Sequence, residues 1–172
     1  MQQHTVNYPG SKAPAAADLG TPGLAHPTPA YLASLPTDPA TLLTVIRKRL
    51  PAGKPGTDTQ QVFLAVATLV TRADALLSPE LRAGLCRALA TLPGITRQPG
   101  AADLAGRTGV AISRTDGGVR VDLILDPASS RVIGVRQVIV DPAKDGATVP
   151  AGTVQWWSTT NQKVVGSAGA TS

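Results

Sequence analysis

Aromatic residues are scarce in this 172-residue chain, which has one phenylalanine, two tyrosines and two tryptophans. Any core it builds must therefore be mostly aliphatic. Cysteine is scarcer still. Cys86 stands alone, which excludes an intrachain disulfide and a cysteine-based zinc site. The two histidines, His4 and His26, lack partners at ligand spacing, so no metal centre is expected. Phosphate-cradling glycine loops, a GxSxG elbow and an HExxH pattern are all missing, and nothing calls for a cofactor. No run of about 20 apolar residues occurs, so no segment is expected to span a membrane. The first residues, MQQHTVNYPGSK, also lack the charged start and apolar run of a secretory signal.

Charge is present but spread out. The net +5 divides into a neutral stretch over 1–36, +3 over 37–93 and +2 over 94–172. The one tight basic cluster, Arg47-Lys48-Arg49, ends a predicted helix, where cations suit the macrodipole and the free carbonyls. Nucleic-acid binding would want a basic stripe interleaved with aromatics, and neither is present, so no nucleic-acid partner is expected.

Composition divides the chain into three. Residues 1–30 are rich in Pro, Gly and Ala without helical or strand period and are expected to form a disordered arm. Residues 31–167 carry the periodic segments and form a single domain. Residues 168–172 read as a disordered tail.

The first part of the domain is helical. Tyr31 to Pro36 reads as an irregular apolar arm. Thr37 or Asp38 then caps a helix with Pro39 in its first turn and Leu42, Leu43, Ile46 and Leu50 at helical spacing. A second helix over 57–77 carries the stripe Val62, Phe63, Val66, Leu69, Val70, Ala73 and Leu76. Ser78-Pro79-Glu80 starts a third, with Leu81, Leu85, Leu89 and Leu92 on one side. Cys86 sits beside that leucine row as a small hydrophobe, since no histidine within the domain is there to activate it.

The second part alternates with period two. Ile95 to Arg97 starts a strand, and a polar loop over 98–107 follows it. Residues 108–140 then read as three antiparallel strands. Asp116-Gly117 is taken as the two-residue loop of the first hairpin, pairing Arg114 with Val119, Ile112 with Val121 and Val110 with Leu123. Val110, Ile112, Val121, Leu123 and Leu125 then share one face, and Ala111, Ser113, Arg120 and Asp122 the other. The turn Asp126-Pro127-Ala128-Ser129-Ser130 asks for a left-handed last residue, and Ser130 predicts mild strain there. Beyond it, either Val132, Val138 and Val140 or Ile133, Val135 and Ile139 face the helices, depending on a bulge. After a loop, residues 153–160 form a further strand. Its adjacent Trp156 and Trp157 point to opposite faces, one toward the core and one outward. Lys163-Val164-Val165 suggests a short last strand. The sum is an α+β fold: three helices followed by a curved antiparallel meander of about four to six strands, with the helices on one face.

No catalytic residue is nominated. Among the carboxylates of the sheet region, Asp122 differs from Asp103, Asp116, Asp126, Asp141 and Asp145 in lying within a strand, facing the same way as Arg120 and with Arg136 across from it. An ion pair is the plain reading. A polar lining for a binding face is the functional one, and it nominates Arg120, Asp122, Arg136, Trp156 and Trp157 for contact with a ligand or partner.

Five pieces, in order and spacing, resemble an uncharacterised family of actinobacterial membrane-anchored proteins: Leu35-Pro36-Thr37-Asp38-Pro39, Ser78-Pro79-Glu80-Leu81-Arg82-Ala83, Leu92-Pro93-Gly94-Ile95, Ala105-Gly106-Arg107-Thr108-Gly109-Val110-Ala111 and Leu123-Ile124-Leu125-Asp126-Pro127. The match covers residues 31–167. Members usually carry a cytoplasmic stretch and one transmembrane helix ahead of this domain, and many are encoded beside extracytoplasmic-function sigma factors. This chain departs in having no such helix, in Ser130 where members tend to have glycine, and in Cys86 where an aromatic is frequent. The resemblance implies an extracytoplasmic interaction or sensory domain of a membrane-anchored, anti-sigma-like regulator, not an enzyme, tied to the membrane only through a segment this chain lacks. It implies no catalytic residues. The partner is then a protein or a small apolar ligand. A small hydrolase using Asp122 with Arg120 or Arg136, an apolar-ligand carrier and a structural cell-envelope module are the alternatives.

Overall fold

A computed structural model describes residues 21–50 and 56–160. The expectations for residues 1–20, the tail over 168–172 and a strand at Lys163-Val164-Val165 lie outside the described residues. The α+β class holds, with the helices first and one open antiparallel sheet after them.

Helical order begins earlier than expected. Tyr31 to Pro36 is not an irregular arm throughout, because Thr28 caps a one-turn helix, α1 (Pro29–Ala33), by accepting from Tyr31 N. Proline at its first position supplies the φ that a helix start needs. Leu32 and Leu35 are buried by it. Of the two candidate caps for α2 (Pro39–Arg49), Asp38 is the one used: its Oδ2 accepts from both the amide and the hydroxyl of Thr41. The basic residues closing α2 have local employment. Arg47 pairs with Asp58 at 2.8 Å, and the Arg49 guanidinium lies 5.0 Å from the centre of the Tyr31 ring.

α3 (Asp58–Ala73) runs into a 3-10 turn over Asp74–Leu76, and Ser78 caps α4 (Pro79–Ala90) by accepting from Leu81 N. Leu42, Ile46, Val62, Phe63, Leu69, Leu85 and Leu89 are fully enclosed where the three long helices meet. Each such leucine contributes about 1.5–3 kcal/mol by leaving water. One polar pair lies within this layer. Asp74 and Arg82 are both buried and hydrogen-bonded to each other, and Asp74 also accepts from Val132 N, linking the helices to the sheet.

The sheet is a five-stranded meander of β1 (Ile95–Ala102), β2 (Thr108–Asp116), β3 (Val119–Leu125), β4 (Val132–Ile139) and β5 (Val154–Thr159) in that spatial order, every neighbour antiparallel. β1 is longer than expected, since the strand takes in most of the anticipated loop. It passes Pro99 and bulges at Gly100, which an edge strand tolerates because one side of it has no strand partner among the described residues. The β2–β3 hairpin turns one residue later than expected. Its loop is Gly117-Gly118, and Asp116 pairs with Val119, Arg114 with Val121, Ile112 with Leu123 and Val110 with Leu125. Both glycines have positive φ, which costs aspartate more. Gly118 has a second reason: a Cβ there would fall on the carbonyl oxygen of Asp141. Each partner moves by two positions, so the sorting of faces survives. Ile112, Leu123 and Leu125 join the helical core, while Ala111 and Ile124 face away.

In β4 neither expected alternation holds from end to end. Ile124 pairs with Gly134 and Leu125 with Val132, leaving Ile133 as the extra residue of a bulge. Val132 and Val135 therefore both reach the helical core although three positions apart, and Ile133 packs on the opposite face with Ala101, Ala111 and Ile124. The loop after β4 holds one further turn of helix, α5 (Pro142–Asp145), capped by Asp141.

Ser130 has φ 55, the only positive value at a non-glycine among the described residues, in a turn where Asp126 Oδ1 accepts from the amides of Ala128 and Ser129. Ser130→Gly relieves that conformation and is expected to raise unfolding free energy by about 1 kcal/mol, read from the urea midpoint. Gly84, inside α4, behaves in the opposite way to its helix propensity. Alanine is favoured there by about 1 kcal/mol, but its Cβ would meet the carbonyl oxygen of Thr37 inside van der Waals contact. Gly84→Ala is therefore expected to destabilise by about 1–3 kcal/mol in the same measurement.

Candidate functional site

The face of the sheet turned away from the helices gathers four of the five nominated residues, Arg120, Asp122, Arg136 and Trp157. β3 is the central strand, and the hairpin registers set Asp122 opposite Ser113 on β2 and opposite Arg136 on β4. Arg120 lies two residues along β3, hence on the same side. Its Nε and Nη2 donate to the two carboxylate oxygens at 2.8 and 3.3 Å, and Arg136 Nε donates to Oδ2 at 2.6 Å.

A second cluster, which the residue pattern did not single out, closes the end of the same face. Asp103 Oδ1 accepts from the amides of Ala105 and Arg107, and its Oδ2 from Arg107 Nε at 2.7 Å. Arg107 Nη2 then donates to Ile133 O at 2.9 Å and Thr160 O at 3.0 Å, tying the β1–β2 loop to the far strands. Gly134 makes room for it: a Cβ there would lie 3.2 Å from Cβ of Asp103. Asp103 looked like an ordinary loop aspartate. The only clue in the sequence is an arginine four residues on, at the spacing of a turn-closing pair.

The two clusters share an electrostatic design. Asp122 and Asp103 have fully buried side chains (0% exposed), whereas those of Arg120, Arg136 and Arg107 are 28%, 18% and 39% exposed. Solvent therefore meets guanidinium and not carboxylate. A guanidinium has five N–H donors, and Arg120 commits two and Arg136 one to Asp122, which leaves donors for another acceptor. Burial pushes the Asp122 carboxyl up. The Ser113 hydroxyl and the Arg120 and Arg136 guanidiniums outweigh that and hold it below the usual carboxylate range. Of these, the guanidiniums have hydrogen-bond geometry, whereas Ser113 Oγ is buried without a hydrogen-bond partner.

The tryptophans depart from expectation, since neither enters the core. Trp156 is 50% and Trp157 41% exposed. Their side chains do alternate: Trp157 stands opposite Arg136 and so belongs to the arginine face, and Trp156 stands opposite Gln137. The helix layer packs chiefly on β1 and β2, so the helix side of β5 is left without a cover for Trp156. Arg120, Asp122, Arg136 and Trp157 thus come together, and Trp156 does not join them.

The helix side has a cleft of about 690 Å³ between the start of α3 and the β2–β3 hairpin, with Phe63, Val119 and Val121 among its apolar walls and Thr57, Gln60, Gln137 and Gln155 among its polar ones. Arg114 crosses it, bonded to Asp116 and to Pro93 O. Cys86 is half-buried. Burial pushes its thiol up against the pull of Arg82 and Arg87, which suits a packing role. Among the described residues no group of three His, Cys, Asp or Glu is placed to hold a metal ion, and no helix is long and apolar enough to cross a membrane.

These features define an α+β domain whose open sheet carries a helix layer on one side and an arginine-surfaced face on the other. Comparison with family models, with curated proteins and with solved structures returns no match.

Two outcomes test the Asp122 cluster. Its carboxyl titrates lower folded than unfolded, so its contribution is complete above the unfolded value of about 3.9 and is lost as pH falls through the lower folded value. Asp122→Asn is expected to flatten the fall in unfolding free energy below about pH 4. Replacing Arg120 and Arg136 together by methionine leaves a buried, unpaired carboxylate and is expected to cost about 3–5 kcal/mol at pH 7. Adding Asp122→Asn to that pair should recover part of the loss, and urea titration of the three variants measures it.

Proposed function

We propose that this chain is a non-enzymatic interaction domain that receives an acidic segment of a partner protein on the arginine face of its sheet. The observation that carries the reading is the inversion of exposure within the ion pairs. The carboxylates are buried, the guanidiniums are partly open, and Trp157 lies beside Arg136 with two-fifths of its surface in water. Tryptophan and arginine are the side chains most enriched at energetically dominant contact positions. Their pairing suits a carboxylate next to an apolar group.

The hydrolase alternative is less favoured chemically. A general base needs a carboxylate with a raised pKa and a free lone pair toward substrate. Asp122 has a lowered one and spends both oxygens on guanidiniums. A carrier on this face is also disfavoured, since Ala111, Ile124 and Ile133 are already buried there with Ala101.

The resemblance to membrane-anchored actinobacterial proteins supports a finer version, in which the domain lies outside the cytoplasmic membrane and acts as the sensing part of an anti-sigma-like regulator. A β-lactamase fusion to the native gene would confer ampicillin resistance only if the domain is exported, so a sensitive strain would count against that placement.

Selection of a random peptide library on the immobilised protein tests the binding surface. Enriched peptides are expected to be acidic and to bind at least tenfold more weakly to Trp157→Ala, compared under conditions where urea titration shows both proteins folded, since about three-fifths of that side chain is covered. Enrichment without an acidic bias, or indifference to that substitution, would remove the support for this reading.

A further inference from the structure

The two edges of the sheet are unequal. β1 has the features that keep an edge strand from pairing with other chains: Arg97, Pro99 and a bulge at Gly100. β5 reads VQWWST and has neither a charge nor a proline. Its bulge, at Gln155, lies at its start and leaves residues 156–159 regular. Among the described residues nothing pairs with its outer side.

Hydrogen bonding gives the direction of the free groups. Thr160 N donates to Ile133 O at the end of the β4–β5 ladder. Antiparallel alternation then turns the main-chain N–H and C=O of Trp157 and Thr159 away from β4, toward the open edge. The side chains of the same two residues lie on the arginine face, opposite Arg136 and Gly134. Arg107 Nη2 sits on Thr160 O, next to the residues where an added strand would run at a spacing of about 4.8 Å.

The geometry points to strand addition at β5: an extended, acidic segment of a partner protein pairs with Trp157 and Thr159 through its main chain and turns its carboxylates toward the face where Arg107 meets the end of β5. This rests on the acidic-partner reading above and adds the mode of engagement. Charge complementarity selects the occupant. The exposed ends of the nearby ion pairs are guanidinium, whereas β5 itself is neutral, so acidic side chains on one face of the added strand meet cations without repulsion. Main-chain pairing supplies affinity, and alternate side chains supply selectivity.

The test titrates the ¹⁵N-labelled full chain with a capped heptapeptide alternating valine and glutamate, its lysine-for-glutamate counterpart, and the glutamate peptide N-methylated at alternate residues. The glutamate peptide is expected to shift the Trp157 and Thr159 amides and slow their hydrogen exchange at least tenfold, with affinity at least tenfold weaker for each of the other two peptides. Equal binding of the N-methylated peptide would overturn strand addition and leave the acidic-partner reading standing. Equal binding of the lysine peptide with the same protected amides would overturn that reading and leave strand addition standing. No binding by any of the three at millimolar concentration would overturn both. Slow exchange of Trp157 and Thr159 in the free protein would overturn the proposal as well. If it grows with protein concentration the edge belongs to a second copy, and if it does not the chain closes its own edge.

Discussion

A sheet with helices on one side only must still close the other side of its middle strand, and here arginine does it. Asp122 lies at the centre of β3 with no exposed side-chain surface, and it is kept ionised there by Arg120 from its own strand and Arg136 from the next. An unpaired carboxylate in that position would cost several kcal/mol, so both guanidiniums are needed where they are. That requirement constrains the register of β3 against β4. A slip of one residue would turn Arg136 toward the helices and Asp122 away from its partner.

The bulge at Ile133 reconciles this with the core. β4 has to send Val132 and Val135 to the helices while keeping Arg136 over Asp122, and strict alternation cannot satisfy all three. One extra residue shifts the parity once. The displaced Ile133 then joins Ala101, Ala111 and Ile124 in a small second core, and the Asp103–Arg107 pair lies beside it over the bare Cα of Gly134. The second face is thus layered, with aliphatic groups and carboxylates beneath and guanidiniums above.

The same layering gives the face a sign. Burying the acid and exposing the base makes a locally cationic surface in a chain whose overall charge is unremarkable, and the low dielectric beneath it strengthens the field toward solvent. An exposed tryptophan and an unguarded strand edge border that surface. A single arrangement of side chains therefore closes the fold and shapes what can approach it.

The sequence by itself determined what depends on neighbours along the chain. The three long helices were legible from the spacing of apolar residues and from the cap signals at Thr37-Asp38 and Ser78, and the faces of β2 and β3 from alternation, because helix and strand periods are local properties. The left-handed Ser130 followed from the length of its turn. Only the tertiary structure decided the rest. Gly117-Gly118 won over Asp116-Gly117 as the hairpin loop partly because α5 and the residue that caps it crowd Gly118, a contact between segments more than 20 positions apart. The parity of β4 depended on what each of its faces had to bury. Trp156 stayed half in water because the helix layer is narrower than the sheet, and no window of sequence contains that width, while Trp157 lies on the face that has no helix layer at all. Asp122 was recognisable as unusual from its place in a strand. That it is buried beneath its partners follows from the meeting of β3 with β4 and the packing around it, as does the burial of Asp103 where the β1–β2 loop folds over Gly134.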